Sequence, residues 1–296
     1  MRYRPLGTRG QVVSAVTLIL QPEPARRRPA DWVSLIYAAL ECGVSSFELR
    51  TLDPILGEGV AHALSSLDRR LVFVALRLGL RQGRQASLNA VAGQVQGALA
   101  STGLDYLDAV LMDPPAAVTP EGLKELAGLK SAGVVRALGV AGSDEGADAL
   151  IDGGKLDLLA TEFSLLSGGT ERRRLRAAMA CDMGVIGYGS FPKEQIERLV
   201  QPRRVQSRQK GRSDPLAGTG GYGFLEGTRD WTCEELCLGY ALTEPSLASV
   251  LVKAQSIDHL EQLAAVPDRE LPSAVSAQIE MARFSSLGEA EARRTA

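Results

Sequence analysis

Apolar positions along the chain follow two alternating rhythms: short β-branched or aliphatic runs, and longer stretches in which apolar side chains return every three or four residues. Val12–Leu20 is largely apolar throughout, as expected of a strand buried on both faces. A loop, QPEPARRRPAD, follows, and Asp31 is placed to cap a helix to about Cys42 that carries Val33, Ile36, Tyr37 and Leu40 on one face. Gly43 ends it. The same phrase then repeats, with strands expected at Val44–Glu48, Leu71–Leu76, Tyr106–Met112, Val135–Val140, Leu156–Thr161 and Val185–Tyr188. Helices are expected between them at about Ile55–Ser65, Ser87–Ala100, from Thr119-Pro120-Glu121, from a cap near Ser143, and from Gly169 to Met183.

A last unit follows a long interruption. Thr232 and Glu235 have capping-box spacing before a helix to about Leu242, then come strand Leu247–Val252 and a helix from Ser256. Eight strand signals alternating with helices predict an α/β fold of the closed (β/α)8 TIM barrel type rather than an open doubly wound sheet. The expected organisation is one domain over 1–296, with a long loop at 191–230 after strand seven, a C-terminal helix from Ser273 to about Phe284, and a flexible polar tail at 285–296. In such a barrel the second strand, within GVSSFELRTLD, points its C-terminal tip at the active-site face, which places Glu48, Arg50 and Asp53 there.

A formal net charge of −2 offers no whole-molecule field for nucleic acid or an anionic membrane, so neither is an expected partner. The four cysteines (Cys42, Cys181, Cys233, Cys237) read as packed thiols, and two histidines (His62, His259) make no zinc-spaced cluster. The opening MRYRPLGTRG lacks an apolar signal region and no run approaches a membrane span, which leads us to expect a cytoplasmic protein. Arg26, Arg27 and Arg28 read as a solvated turn, with a phosphate or partner contact as the alternative. The interruption carries seven basic against two acidic residues from Lys193 to Arg212. Its GTGGYG (Gly218 to Gly223) matches the dinucleotide fingerprint literally, but it neither follows a strand nor opens a helix, so it reads as a glycine-rich loop.

Several segments, in order, resemble the aldo-keto reductases: RYRPLGTRGQVVSAVTL, GVSSFELRTLDP, LDYLDAVLMDPP, VRALGVAGS, ATEFSLL, GVIGYGSF and VLVKAQSIDHLEQL. The resemblance implies a carbonyl reductase barrel whose aspartate, proton-donating tyrosine, lysine and histidine fall here on Glu48, Asp53, Arg77 and Asp113. None of the four is retained, and no tyrosine lies between Tyr37 and Tyr106 to replace the donor. An oxyanion needs a donor tunable toward neutral pH, whereas aspartate is normally ionised there and arginine does not release its proton. Three carboxylates around one guanidinium also predict a net negative mouth, hostile to developing oxyanion charge.

For the cofactor, the resemblance implies that the polar residues holding the nicotinamide amide are replaced by Ala141, Gly142 and Ala160, while Tyr188 remains as the stacking ring, followed by Gly189 and Ser190. In the VKAQSIDHLEQL segment Lys253 matches a phosphate-binding lysine, Ser256 and Gln262 keep their places, and His259 stands where the family has arginine. NAD(H) is the implied ligand, with NADP(H) as the alternative. The missing tetrad resembles the oxidoreductase-like regulators of bacterial cell division, which implies division or signalling proteins as partners. Two other readings stay open: an NAD(P)H-dependent oxidoreductase with an atypical site, and a metal-dependent enzyme using Glu48, Asp53 and Asp113.

Overall fold

A computed structural model of the chain describes residues 1–8, 10–79, 88–200 and 222–282. It opens with an antiparallel hairpin, β1 (Tyr3–Leu6) and β2 (Gln11–Ser14). Eight parallel strands then close into a barrel: β3 (Val16–Leu20), β4 (Ser46–Arg50), β5 (Phe73–Gly79), β6 (Leu107–Asp113), β7 (Val135–Ala141), β8 (Leu158–Glu162), β9 (Gly184–Tyr188) and β10 (Ser249–Val252). Between them run α1 (Pro29–Glu41), α2 (Pro54–Leu64), α3 (Leu88–Thr102), α4 (Pro120–Ser131), α5 (Glu145–Asp152), α6 (Gly169–Ala180), α7 (Lys193–Val200), α8 (Phe224–Gly227), α9 (Cys233–Leu242) and α10 (Ile257–Ala265). A further helix covers 273–282. The chain is one TIM barrel, as its periodicity predicts.

Two apolar layers follow from strand parity. On β6, Val110 and Met112 pack outward against the helices, whereas Ala109 and Leu111 join Phe73, Ala75, Ala137 and Ile186 in the barrel interior. The hairpin belongs to the interior layer through Leu6 and Val13, so it plugs the N-terminal end. The apolar run expected as one strand from Val12 to Leu20 is therefore two elements, because the chain turns between plug and barrel at Ala15. Most helix starts follow the expected chemistry: Thr119, Thr232 and Ser256 cap α4, α9 and α10. Asp31 is not the cap of α1; it lies in the first turn and accepts the Arg28 amide from inside the helix. The cap of α5 expected near Ser143 is its neighbour, Asp144.

The interruption at 191–230 is not a plain loop, since α7 and α8 lie within it; the Gly218 to Gly223 fingerprint match falls almost wholly outside the described residues, as does the tail at 285–296. Cys181 is exposed rather than packed, and all four cysteines are free thiols. Among the described residues no helix is long and apolar enough to cross a membrane.

At the plugged end, Asp108 is 2% exposed and joins three parts of the fold. Its carboxylate accepts hydrogen bonds from the Val74 amide at 2.9 Å, Arg69 Nη2 at 2.7 Å and Gln11 Nε2 at 3.2 Å. Arg69 and Arg136 sandwich the Tyr106 ring, 4.1 and 3.6 Å from its centroid. Removing the carboxylate leaves a largely buried guanidinium without its counter-charge. Asp108→Ala is expected to lower unfolding free energy by about 3 kcal/mol, with Asp108→Asn milder. A urea midpoint unchanged in both variants would show that this junction does not hold the plug.

Candidate active site and adjoining cleft

The inward parity of four strands converges on the C-terminal mouth. On β4, Phe47 and Leu49 pack outward, which turns Ser46, Glu48 and Arg50 into the barrel. The same alternation turns Arg77 of β5, Asp113 of β6 and Tyr188 of β9 inward. Glu48 is fully buried. Arg77 grips it with two parallel bonds, Nε to Oε1 and Nη2 to Oε2, both 3.0 Å, and reaches Asp113 Oδ2 with Nη1 at 3.2 Å. Arg50 adds Nε to Glu48 Oε1 at 2.5 Å. A buried carboxylate needs this much compensation, and the planar guanidinium fork supplies it.

Burial works against the Arg77 charge, yet Glu48 and Asp113 outweigh it and hold the guanidinium above its ordinary range. The group cannot donate a proton to a substrate. The expected net negative charge is corrected by two observations. Arg50 enters the cluster, and Asp53 leaves it: the Asp53 carboxylate accepts the Leu56 amide at 2.7 Å as the cap of α2. Glu48 and Asp113 therefore face Arg50 and Arg77, two charges of each sign. The same cap removes Asp53 from any metal set, and among the described residues no three His, Cys, Asp or Glu side chains converge as metal ligands.

Tyr188 is the aromatic group of the mouth. The Arg77 guanidinium lies 5.2 Å from its ring centroid, and its hydroxyl is 3.4 Å from Ser143 Oγ. Burial pushes its phenol above the usual range; the Ser143 hydrogen bond opposes this without reversing it, and Glu162 adds to the rise. A phenol moved that way is further from neutral-pH proton donation than free tyrosine. Ser143, freed from capping, also accepts the Glu162 amide at 2.9 Å and ties the ends of β8 and β9. Of the positions matched to lost nicotinamide contacts, Ala141 and Ala160 are buried, and Gly142 is pressed on Pro115, whose Cγ would lie 2.3 Å from an added Cβ.

Beside the mouth lies a cleft of about 490 Å³ walled by Glu23, Phe191, Lys193, Glu234, Lys253 and His259. Two of the seven residues matched to cofactor contacts, Lys253 and His259, line it. Tyr188, Gly189 (φ +67°) and the buried Ser190 form the turn that leaves β9, Ser256 caps α10, and Gln262 is exposed. Each basic wall residue contributed by the β10–α10 segment meets a carboxylate. Lys253 Nζ lies 3.0 Å from Glu23 Oε1 and His259 Nε2 lies 3.2 Å from Glu234 Oε2. The Gln255 amide lies 3.3 Å from His259 Nδ1, which fixes the ring with Nε2 facing Glu234.

Arg26 is not solvated as a turn residue should be. It pairs with Glu23, donates to the carbonyls of Ala254 and Gln255 at 3.0 and 3.3 Å, and packs over Trp32. Ser143, Glu23 and Glu234 were missed by sequence reasoning. Only the spacing of Glu23 three residues before Arg26 gave any sign of its role.

The mouth should respond to single substitutions as a buried pair does. Glu48→Leu alone, stranding Arg77, is expected to cost on the order of 3–5 kcal/mol, and Glu48→Leu with Arg77→Leu distinctly less than the sum of the two. Chemical denaturation of the three variants measures this coupling, and additive losses would contradict the pairing.

The chain matches the Aldo/keto reductase family over residues 53–283. No curated protein sequence matches it. Among solved structures it is similar to the aldo-keto reductase AKR11C1 from Bacillus halodurans in its holo form, with 20% identity, 95% of each chain covered and a TM-score of 0.69. It is also similar to the glycerol dehydrogenase AKR11B4 from Gluconobacter oxydans, with 18% identity, 94% of each chain covered and a TM-score of 0.68. At such identities these likenesses establish the shared barrel, and the family match carries the assignment: the chain belongs to the aldo/keto reductase family.

Proposed function

We propose that this chain is a dinucleotide-binding pseudoenzyme, an aldo/keto reductase barrel that no longer reduces carbonyls and instead regulates protein partners. The observation that carries the non-catalytic reading is the fate of the donor position: Asp53 caps α2 instead of joining the Glu48–Arg77 pair. Tyr188, the tyrosine at the mouth, is shifted the wrong way for the task. The Arg77 donors face Glu48 and Asp113, so they are committed before a ligand oxyanion arrives.

Ligand binding is better supported than chemistry. The cleft volume of about 490 Å³ lies within the usual range for small-molecule sites, and its walls offer Lys253, Lys193 and the His259 ring to a phosphate-bearing ligand. In this reading Lys253 and His259 bind the adenosine side, and Tyr188, Gly189 and Ser190 stand at the nicotinamide side. A bound nicotinamide cofactor would supply a hydride, but neither Asp53, committed to its helix cap, nor Arg77, held charged, would supply the proton to accompany it. NAD(H) is favoured over NADP(H), because His259 stands where the family resemblance has arginine and Glu234 faces it. The regulatory part of the proposal, a role like that of the cell-division regulator KidO with division or signalling proteins as partners, rests on resemblance and on the lost tetrad.

The purified chain should show calorimetric binding of NADH, at least as tight as that of NADPH, with no NAD(P)H-dependent reduction of aldehydes or ketones. Turnover of about 1 s⁻¹ or more would refute the non-catalytic reading. Asp53→Tyr alone should leave activity undetectable, since Arg77 and Asp113 still occupy the lysine and histidine positions, and it should cost about 1 kcal/mol through the lost cap of α2. Restored turnover in that variant would show instead that the donor alone was missing.

A further inference from the structure

The carboxylate of Glu23 occupies the place in the cleft where a ligand's anionic group would be expected. Its side chain is only 12% exposed, and it meets Arg26 and Lys253 at once. Arg26 is itself held to the β10–α10 turn by the carbonyls of Ala254 and Gln255, so Glu23 is carried on an anchored loop, not on a free side chain at the rim. Lys253 is 48% exposed and has no such anchoring among its described contacts. The ammonium is therefore the mobile member of the group, and Glu23 the fixed one.

From this arrangement we infer that Glu23 is a specificity-determining residue, an internal competitor that a phosphate must outbid for Lys253. The inference rests on the cleft being a ligand site, as argued above. An incoming anion close to Glu23 meets like-charge repulsion until Lys253 turns to it, and both effects grow with the charge on the ligand. A neutral nucleoside meets neither. The cleft thus discriminates against charge on the ligand, and the size of that penalty is set by one carboxylate. The loop that carries it contains the three arginines, and only Arg26 of these is spent on the clamp; Arg28 pairs outward with Asp31.

The test uses the full chain, with adenosine, 5′-AMP and NADH as calorimetric probes, and the variants Glu23→Gln, Lys253→Ala and the double substitution. Glu23→Gln is expected to tighten 5′-AMP about tenfold, chiefly by releasing Lys253 to the ligand, and to leave adenosine unchanged. In the Lys253→Ala background the gain from Glu23→Gln should shrink to a small residue, because the freed cation is gone. Equal 5′-AMP affinity in wild type and Glu23→Gln would overturn the inference, as would an equal gain for adenosine, which would signal a loosened loop. A chain and variants that bind no probe would overturn it too. NADH separates the two proposals: if it fails to bind while the 5′-AMP contrast holds, the dinucleotide reading falls and the role of Glu23 stands. If NADH binds and the contrast is absent, the reverse is true.

Discussion

A carboxylate with no solvent exposure inside a barrel is the constraint around which the mouth is built. Glu48 sits at an inward position of β4, where the only ways to keep its charge are opposing charge and donated hydrogen bonds. Arg77 satisfies the requirement because parallel register sets β5 directly beside β4, with Arg50 opposite Arg77 and Glu48 opposite Ala75. The small side chain at Ala75 leaves room for the guanidinium to reach back over it. Arg50, two residues on from Glu48 and on the same face, closes the group. Relative to the family resemblance both charged partners are exchanged, and the ion pair itself is kept. A lysine could tune a neighbour and release a proton; an arginine holds a carboxylate and does neither.

The barrel was legible in the sequence because hydrophobic period is a property of whole segments, and each strand and helix repeats it many times over. Glu48 was legible at the mouth from its place at a strand tip, and Arg77 and Asp113 from the family resemblance. What the pattern could not supply was the use of a single polar side chain. Asp53 and Asp31 both stand near a helix start, yet Asp53 caps and Asp31 is the third residue of the first turn, a difference set by where Pro54 and Pro29 allow that turn to begin. The misjudged charge of the mouth came from this source: one aspartate counted in that belonged to a cap, and one arginine counted out that belonged to the cluster.

The cleft was less legible still, because its partners come from segments far apart in the chain. Glu23 meets Lys253, and Glu234 meets His259, and no local spacing encodes such pairs. A loop containing three successive arginines reads as solvent-facing. It is buried here in part because Arg26 finds two carbonyls, a carboxylate and the face of Trp32, partners that exist only once the barrel has closed and brought β10 alongside β3.

Mouth and cleft use the same kinds of charge, but they differ in what a ligand can change. In the mouth, Arg77 and Glu48 are 8% and 0% exposed and share two parallel bonds; separating them would strand both charges away from water. In the cleft, Lys253 is 48% exposed and Glu234 35%, against 12% for Glu23 and 21% for His259, so solvent can replace a partner lost by Lys253 or Glu234 at small cost. Exchange of an internal partner for a ligand is therefore open at the cleft and closed at the mouth. The mouth is thus held together by buried ion pairs, whereas the cleft presents Lys253 and Glu234 to solvent.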